Sequence, residues 1–515
     1  MRSRCGSWWL ASSEPSLRMC PWFRSWLQPE SVPELKRHRS VRDRAEEIRE
    51  EADVQSSEHQ SYQHIEARLR ICQRDLEKAE LKLKNKVHDA VKEEQLRSRV
   101  RTLTAKRDHQ AEKLDRLTFY SLVANKSNSA CKQPKQHRSK TIFARDKFEF
   151  VISNALKQFQ TSQQTGSPAQ GLTGLANNGN TCFVSACLQP LSNIPLLRDF
   201  FRTQYFIDFI NEENEMSTRG ILSCTYCALQ VTLWNGDRAV ADPSHLMKTV
   251  SQYVNGMFGD GNQHDAQEFL VTLLDALHED INHVRERRLV EQTNDGKSLK
   301  EAGQEAWKNA RRYSSSFIYD LFQGQLISVV ECAICAKRSV TFDTFTQVTL
   351  DLPAQDETSL EECLKSHFRK ESMRDDVGWK CRNCAVVRDA TKTMNFWKLP
   401  PILVVHLKRF EQRGSSYAKK QVLVHFPRNS DESLQICPFI HSESPDQPQP
   451  YFLFAVTNHR GTLEEGHYTA CCRSPTSGAW FKFDDDCVNP ITSEYIKPAD
   501  AYILYYSNIN WFKSF

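Results

Sequence analysis

The sequence lacks the features that mark a membrane-spanning, secreted or nucleic-acid-binding protein. Its 515 residues carry 68 Lys and Arg against 64 Asp and Glu, a net charge of only +4. A nucleic-acid-binding surface needs a concentrated excess of basic residues, so this balance predicts no nucleic-acid partner. No run approaches the roughly 20 consecutive apolar residues that a membrane span requires. The first residues also lack the continuous apolar stretch of a secretory signal, so residues 1–40 are predicted to be a disordered leader, rather than a transit peptide or an interfacial anchor.

Proline and glycine are missing from a long N-terminal stretch. No proline occurs from Lys36 to Gln133, and no glycine occurs from Ser7 to Thr165. Because both residue types interrupt helices, their absence predicts a long helix over residues 41–120. An apolar seam with coiled-coil spacing runs along this stretch, in Ile65, Leu69, Cys72, Leu76, Ala79 and Leu83. We interpret it as a coil that binds a partner or self-associates, with a single solvated helix as the alternative.

The composition changes in two steps after this helix. Residues 121–170 are rich in Ser, Gln, Lys and Pro and are predicted to form a linker, with a short amphipathic piece near Phe148 to Phe159. From Gly171 onward, tryptophan, glycine and short apolar runs appear. Helical patterns dominate up to about Asn309, and strand-like runs follow. This order predicts an α+β domain over residues 171–507.

The 17 cysteines are odd in number and scattered along the chain. This distribution favours reduced thiols, metal ligands or a nucleophile over a disulfide framework. Two CxxC motifs supply the ligands of a closed four-sulfur zinc site, Cys332, Cys335, Cys381 and Cys384. Free thiols are the alternative for these four residues. A third pair, Cys224 and Cys227, lies in an apolar helical pattern and is predicted to pack in the core.

One cysteine stands at the start of an apolar helical pattern. Cys182 follows a polar turn that contains Asn177, Gly179 and Thr181. A helix N-terminus lowers the pKa of a thiol, and the turn offers backbone N–H groups and the Asn177 amide near the sulfur. Such donors would stabilise an oxyanion. The residues alone therefore leave two interpretations, a catalytic nucleophile and a buried structural cysteine.

A histidine and an acidic triplet follow near the C-terminus. His467 comes after a glycine loop at the edge of a strand-like run, and Asp484 follows with room for two antiparallel strands between them. Antiparallel neighbours can place a carboxylate on the far imidazole nitrogen, where it holds the tautomer and stabilises the imidazolium. The alternatives are a surface or packing histidine and a solvated acidic turn.

Taken in order, these motifs resemble the ubiquitin-specific protease family of cysteine deubiquitinases. "GLANNGNTCF" (174–183) resembles the cysteine box of that family, and "QHDAQEFL" (263–270) resembles its second box. "GHYTA", "WFKFDDD" and "AYILYY" resemble its histidine box. "LFQGQL", "WKLPPILVVHLKRF" and "TNHRG" are most similar to the branch typified by ubiquitin isopeptidase Y. The resemblance covers about residues 171–507.

The resemblance implies a fold and an activity. The expected fold is a papain-like catalytic domain with thumb, palm and fingers. The implied reaction is hydrolysis of the isopeptide (or peptide) bond at the C-terminal glycine of ubiquitin through a thioester. In that reaction Cys182 would be the nucleophile, His467 the general base and Asp484 the residue that orients the histidine. The side chain of Asn177 and the backbone N–H of Cys182 would stabilise the oxyanion, and Asp485 is a secondary candidate that supports the water or the oxyanion.

The resemblance also implies how substrate, metal and partners are bound. Asp265 and Glu268 match the box that binds the basic tail of ubiquitin, and a carboxylate suits the arginines of that tail. Gly466 would leave space for the narrow diglycine end. Structural zinc in the fingers is the expected cofactor, without an organic cofactor. The expected partners are ubiquitin and ubiquitinated proteins. We expect a cytoplasmic location, with endosomal association and the nucleus as alternatives.

Several residues near Cys182 depart from the family pattern. Val184 and Ser185 stand where Met-Asn is common, and Asn178 replaces a residue that is often apolar. Pro190 lies inside the predicted helix, where a proline costs about 3 kcal/mol unless the helix kinks or ends. Two other functions therefore stay open at this point. The chain could be a weak or inactive ubiquitin-binding scaffold, or an isopeptidase that acts on a ubiquitin-like modifier.

Overall fold

The computed structural model describes residues 138–159, 169–236, 238–288, 290, 296–374, 379–413, 416–429, 431–446, 449–462 and 465–509. The leader predicted over residues 1–40 and the coiled coil predicted over residues 41–120 lie outside these residues. Among the described helices, none is both long enough and apolar enough to cross a membrane.

A helical region, which we call the thumb, comprises residues 138–280. Its α-helices are α1 Arg138–Phe159, α2 Cys182–Ser192, α3 Pro195–Arg202, α4 Ile221–Trp234, α5 Ser244–Tyr253 and α6 Ala266–Asp280. Short 3-10 turns at Tyr205–Phe209 and Gly256–Gly259 connect them. Two short parallel strands, β1 Gly174–Leu175 and β2 Val240–Ala241, also belong here. Nearly every residue of α4 is buried, as expected for a helix that is apolar all round and forms the centre of a bundle.

The linker predicted over residues 121–170 is wrong for its central part. Residues 138–159 form α1, whose second half is the predicted amphipathic piece. Phe148, Ile152, Ala155 and Phe159 are buried at a spacing of three and four residues, which is one face of a helix. This face packs against α4. The polar residues Arg145, Lys147 and Glu149 of the same helix are exposed. The folded unit therefore begins well before residue 171.

The region we call the palm is built on a seven-stranded sheet. The strands are β5 Val348–Asp351, β9 Ile402–Lys408, β13 Phe452–Gly461, β14 Gly466–Arg473, β15 Trp480–Asp484, β16 Cys487–Ile491 and β17 Ala501–Ser507. They lie in the order β16-β15-β14-β13-β17-β9-β5, and all neighbours are antiparallel except the parallel pair β5–β9. Helix α2 contacts β13 and β14 directly, so the thumb lies against the palm at the nucleophile helix.

The region we call the fingers is a four-stranded antiparallel sheet of order β4-β3-β8-β7. It contains β3 Gly324–Cys332, β4 Arg338–Phe345, β7 Glu371–Met373 and β8 Ala390–Lys398.

The remaining described elements are α7 Leu299–Tyr313, α8 Phe317–Phe322, α9 Leu360–His367, β6 Glu357–Ser359, β10 Phe410–Arg413, β11 Ser416–Lys419 and β12 Leu423–His425, with 3-10 turns at Cys437–Phe439 and Ser493–Tyr495. Helix α7 packs on β4 through a small apolar cluster around Trp397. The predicted order of helices first and strands later is confirmed.

Helix α2 runs through Pro190 without a break. Helix α2 continues to Ser192, two residues beyond the proline. Proline has no N–H, so the carbonyl of Ala186, four residues earlier, loses its helical partner. The hydroxyl of Thr457 on β13 donates to this carbonyl at 2.7 Å instead. A palm strand thus satisfies the group that the proline frees, and the same bond ties α2 to the palm sheet.

We predict that Thr457→Val destabilises the domain by about 1–3 kcal/mol, because it leaves the buried carbonyl of Ala186 without a donor. Pro190→Ala in the same chain should recover part of this loss, since the alanine N–H can donate to Ala186. Thermal unfolding of the two single variants and the double variant measures the coupling. An equal loss with and without the proline would show that the hydroxyl does not compensate for it.

Candidate active site

The turn before α2 places Cys182 at the helix N-terminus. Cys182 is the first residue of α2 and is buried, and the N-cap residue Thr181 makes no side-chain capping bond. The Asn177 Oδ1 atom holds the turn instead. It accepts hydrogen bonds from the backbone N–H groups of Gly179 and Thr181, each at 3.1 Å. The first N–H groups of the helix are therefore free of a side-chain cap beside the sulfur.

A close backbone approach joins this turn to the acidic triplet of the palm. The Leu175 N–H donates to the Asp485 carbonyl at 2.8 Å. A Cβ atom on Gly174 would stand 2.3 Å from the Asp486 carbonyl oxygen, closer than any real contact allows. Glycine is therefore required at position 174, because only a residue without a side chain lets the two segments meet. This contact brings β1 of the thumb and the turn after β15 together at the site.

His467 and Asp484 lie at the same end of two paired strands. Residues Ala470 and Phe483 face each other in the antiparallel pair β14–β15, which places His467 diagonally across from Asp484. The His467 Nε2 atom is 2.7 Å from Asp484 Oδ1. The remaining ring nitrogen, Nδ1, is then the one available to Cys182. The structure thus brings together the three residues that the sequence predicts as nucleophile, base and orienting carboxylate.

The surroundings of His467 favour its protonated form. A hydrogen bond to Cys182 is the largest cause that raises the pKa of His467, whereas burial lowers that pKa. The hydrogen bond and the charge of Asp484 add to the effect of Cys182, and together they raise the pKa of His467 to about 9. An imidazolium beside a thiol stabilises the thiolate, which is the nucleophilic form of cysteine.

Asp485 supports Asn177 rather than His467. The Asn177 Nδ2 atom donates to Asp485 Oδ2 at 2.9 Å, whereas His467 Nε2 is 4.0 Å from the same oxygen. Burial raises the pKa of Asp485, and the bond from Asn177 partly offsets this. The amide of Asn177 is thus fixed at both ends, its oxygen by the turn and its nitrogen by Asp485. One of the two amide hydrogens is used in this way.

The two acidic residues of the second box have different surroundings. Asp265 is the N-cap of α6, and its Oδ1 accepts from the Gln267 N–H at 2.7 Å. Its Oδ2 accepts from the Tyr502 hydroxyl at 2.5 Å. Glu268 lies in the first turn of α6 and is exposed. Asp265 therefore has a structural role in the thumb, while Glu268 is directed to solvent.

Gly466 is required for a reason that the sequence did not indicate. A Cβ atom on this residue would stand 2.1 Å from the Nε2 atom of His459, a buried residue of β13. The Gly466 N–H also donates to the side chain of Gln263 at 3.1 Å, which links the start of β14 to the second box. The glycine leaves room for an internal histidine. The prediction that it leaves space for a substrate tail stays a prediction.

The structure adds two polar residues to the site that the sequence analysis did not single out. The Lys482 Nζ atom donates to Asp484 Oδ2 at 2.6 Å. Asn178, noted only as a departure, donates to Asp242 at 2.7 Å and to Ser244 at 2.8 Å, which ties the turn to the start of α5. The alternation of residues in "WFKFD" was a signal for Lys482, since positions 482 and 484 share a face of the strand.

Among the described residues, no partner lies within hydrogen-bond distance of the buried Ser185 hydroxyl in α2. This departure from the family pattern therefore has no compensating contact of the kind that Pro190 has.

The two CxxC motifs meet at the end of the fingers. Their sulfur atoms all lie within 4.8 Å of one another, and Cys335 Sγ is 3.6 Å from Cys381 Sγ. The motifs form matching turns, in which Ala336 and Ala385 have left-handed φ values of 56° and 61°. The N–H of each alanine donates to the carbonyl of the first cysteine of its motif, at 3.0 Å and 2.8 Å. Four converging thiols on two such turns fit a tetrahedral metal ion.

Cys224 and Cys227 are not part of such a cluster. Both are fully buried in α4, and burial raises the pKa of each thiol. The prediction that they pack in the core is confirmed.

Comparison with known proteins identifies the family. The sequence model described as ubiquitin carboxyl-terminal hydrolase matches residues 173–506, which include Cys182, His467 and Asp484. The chain belongs to the ubiquitin carboxyl-terminal hydrolase family. Members of this family are cysteine proteases of the deubiquitinase class, so the predicted family is confirmed. The similarity to the ubiquitin isopeptidase Y branch stays a prediction.

The relatives include several proteins named ubiquitin carboxyl-terminal hydrolase 2. The protein from Bos taurus is 33% identical over 370 residues, which cover 71% of this chain and 60% of the relative. The Homo sapiens protein is 35% identical, with 66% of this chain and 55% of the relative covered. The Gallus gallus protein is 36% identical, with 65% of this chain and 93% of the relative covered. The chain thus spans little more than half the length of the bovine and human relatives.

Solved structures support the fold. A yeast SAGA DUBm with a mutant Sgf73 has a TM-score of 0.51 and 27% identity, and the match covers 73% of this chain and 75% of that chain. A SAGA Ubp8/Sgf11/Sus1/Sgf73 DUB module bound to ubiquitin aldehyde has a TM-score of 0.51 at 24% identity, covering 73% of this chain and 76% of that chain. The α+β fold with thumb, palm and fingers is confirmed.

We predict that Asp484→Asn lowers the pKa of His467 from about 9 toward its usual value, because the imidazolium loses a neighbouring negative charge. Histidine-selective NMR titration measures this shift. The matched control is Asp486→Asn, which removes an exposed carboxylate two residues away. An equal fall of the His467 pKa in both variants would contradict a specific interaction with Asp484.

Proposed function

We propose that this chain is a thiol-dependent deubiquitinase that hydrolyses the isopeptide (or peptide) bond at the C-terminal glycine of ubiquitin. The observation that carries the proposal is the group formed by Cys182, His467 and Asp484 at the junction of thumb and palm. The Cys182 thiolate attacks the carbonyl carbon of the glycine. His467 protonates the leaving lysine amine, and a thioester remains on Cys182. His467 then accepts a proton from the water that hydrolyses the thioester.

The turn before α2 supports the charge that develops on the carbonyl oxygen. The Cys182 N–H and the second hydrogen of the Asn177 amide are the proposed donors. Asp485 fixes the amide by accepting its first hydrogen, so Asp485 acts through Asn177. Loss of one oxyanion donor typically lowers kcat by about 10²–10³-fold.

The second box and the narrow site suit an extended basic tail. Cys182 is only 3% exposed, so a bulky segment cannot reach its sulfur. We propose that the exposed carboxylate of Glu268 meets an arginine of the ubiquitin tail, where a guanidinium can donate two parallel hydrogen bonds. Asp265, which is bound to Tyr502 and to the helix start, contributes negative charge and holds α6 in place.

The four cysteines of the fingers are proposed to hold structural zinc. When four thiolates bind one zinc ion, no coordination position is left for water or substrate. Such a closed site stabilises the fold and does not carry out chemistry. A backbone N–H from Lys337 is the largest cause that lowers the pKa of Cys335 to about 6, which favours the thiolate that binds metal. Zinc here would fix the two turns at the end of β3 and before β8.

Partners and location follow from the proposed reaction. Ubiquitin and ubiquitinated proteins are the proposed substrates, and the predicted coil over residues 41–120 is proposed to bind a partner or a second copy. All 13 cysteines in the described part of the chain are free thiols. This supports a reducing compartment, and we propose the cytoplasm, with endosomal association and the nucleus as alternatives.

The proposed function predicts covalent capture by ubiquitin that bears a thiol-reactive group at its C-terminus. We expect a single adduct on Cys182, mapped by mass spectrometry, and none in Cys182→Ala. A fluorogenic ubiquitin substrate should be cleaved by the native protein and about 10²–10³-fold more slowly by Asn177→Ala.

Two exposed cysteines provide the control for this experiment. Cys437 and Cys487 are more accessible than Cys182, so adducts on them would indicate unspecific thiol chemistry. Parallel probes made from ubiquitin-like modifiers test the alternative substrate class. A folded protein that binds ubiquitin but forms no adduct and shows no turnover would instead be a ubiquitin-binding scaffold.

The zinc proposal predicts about one zinc ion per chain, measured by atomic emission, and a fall in thermal midpoint when a strong chelator is present. Cys381→Ser should lose the zinc and the midpoint together, because it removes one of four ligands. Cys224→Ser, which replaces a buried cysteine outside the cluster, should keep its zinc. A metal-free native protein with an unchanged midpoint would rule out a structural ion.

A further inference from the structure

Both carboxylate oxygens of Asp484 have a partner. Oδ1 faces His467 Nε2 at 2.7 Å, and Oδ2 accepts from Lys482 Nζ at 2.6 Å. Lys482 lies two residues before Asp484 in β15, so both side chains project from the same face of the strand. The lysine thus holds the oxygen that the histidine does not use.

We propose that Lys482 is a positioning residue of the active site, which fixes the orientation of Asp484 and limits how strongly that carboxylate stabilises the His467 imidazolium. This inference rests on the proposed function for its effect on turnover. The triad then continues into a fourth member, and the charges alternate from the Cys182 thiolate to the Lys482 ammonium.

The ion pair between Lys482 and Asp484 is partly shielded from solvent. The side chain of Lys482 is 19% exposed and that of Asp484 is 32% exposed. Burial would lower the pKa of Lys482, but its hydrogen bond to Asp484 and the charge of that residue outweigh burial and raise it. Burial would raise the pKa of Asp484, but Lys482 and His467 outweigh burial and lower it. Both groups therefore stay charged over the working range of a cysteine protease.

Other ionisable groups surround the pair without replacing the lysine. Arg460 of β13 forms an ion pair with Asp500 at 2.7 Å, so its charge is already compensated. Burial raises the pKa of Cys471 of β14 to about 11, which keeps this thiol neutral. The further groups around Lys482, Asp484 and His467 are Cys182 from α2, His459 from β13, Asp485 after β15, and Tyr495 and Lys497 before β17.

Loss of Lys482 has two separable consequences. Without the ammonium donor, Asp484 can rotate away from His467, and a misplaced catalytic group lowers kcat. Where a neutral donor keeps Asp484 in place, loss of the positive charge leaves the carboxylate acting on His467 alone, so the pKa of the imidazolium rises further. A residue that only contributes to folding would change neither the pKa of His467 nor the alkaline limb of the pH profile.

The test compares Lys482→Met, Lys482→Gln and Lys482→Arg, with cleavage of a fluorogenic ubiquitin substrate measured against pH. Lys482→Met should lower kcat by about tenfold to about 10²-fold with little change in KM. Lys482→Gln keeps a neutral donor and should lose less kcat. Because this variant holds Asp484 in place without the charge, its alkaline limb and its His467 pKa, measured by histidine-selective NMR, should move up by roughly 0.5–1 unit.

Two variants show whether the effect depends on this particular charge. Lys482→Arg keeps both donor and charge and should recover most of the kcat and the native pH profile. Lys408→Met removes a lysine that pairs with Asp351 at 3.2 Å across β9 and β5, away from the site in the same sheet. It should leave kcat and the pH profile unchanged.

The inference is overturned if the His467 pKa of Lys482→Gln equals that of the native protein, or if Lys482→Arg loses as much kcat as Lys482→Met. If Lys482→Met does not fold, the comparison of Lys482→Arg with Lys482→Gln decides by the same measurements. Failure of the proposed function is distinguishable, because the native protein would then cleave no ubiquitin substrate. The NMR titration of Lys482→Gln would still test the charge of Lys482.

Discussion

The packing of helix α2, which begins with Cys182, against the palm sheet is the interaction on which the site depends. Cys182 belongs to the thumb, whereas His467 and Asp484 belong to the palm, so the reactive group exists only while the two regions stay in register. The contacts that hold them include the Thr457 hydroxyl on the Ala186 carbonyl, the Leu175 N–H on the Asp485 carbonyl, and the close approach that Gly174 allows. Catalysis is sensitive to displacements of about 1 Å. Contacts through backbone groups and a glycine suit the alignment of thumb and palm, because they hold the two chain segments close together.

The electrostatics of the site depend on which carboxylate oxygens of Asp484 and Asp485 the neighbouring donors bind. Asp484 shares its charge between His467 and Lys482, and Asp485 holds the Asn177 amide. The two adjacent carboxylates therefore hold different groups of the site, one the imidazole of His467 and the other the amide of Asn177. Their pKa values are shifted in opposite directions, because Asp484 faces cations whereas Asp485 is half-buried beside a neutral amide.

Most of the candidate site could be predicted from the sequence, because short motifs carry it. The cysteine, histidine and acidic boxes each lie within one turn or strand, so local order already places their side chains. The parts that could not be predicted depend on partners distant in sequence. Thr457 is 271 residues from the carbonyl that it satisfies. The amphipathic piece near Phe148 to Phe159 was predicted, but its packing against α4 was not, because the partner helix begins more than 60 residues later in the sequence. Residues 339–352 form one uninterrupted strand-like run in the sequence, yet they contribute to β4 and β5, which belong to different sheets.

Residue types and their spacing were enough to predict the family, the α+β order of elements and the four converging thiols of the fingers. These properties depend on residue type and spacing, which the chain carries without folding. Contacts in the folded chain explain why Pro190 is tolerated, why Gly466 has no side chain beside His459, and how Lys482 completes the hydrogen bonding of Asp484. Each of these depends on the distance between atoms of separate elements or on the direction of a side chain, and no linear pattern specifies either quantity.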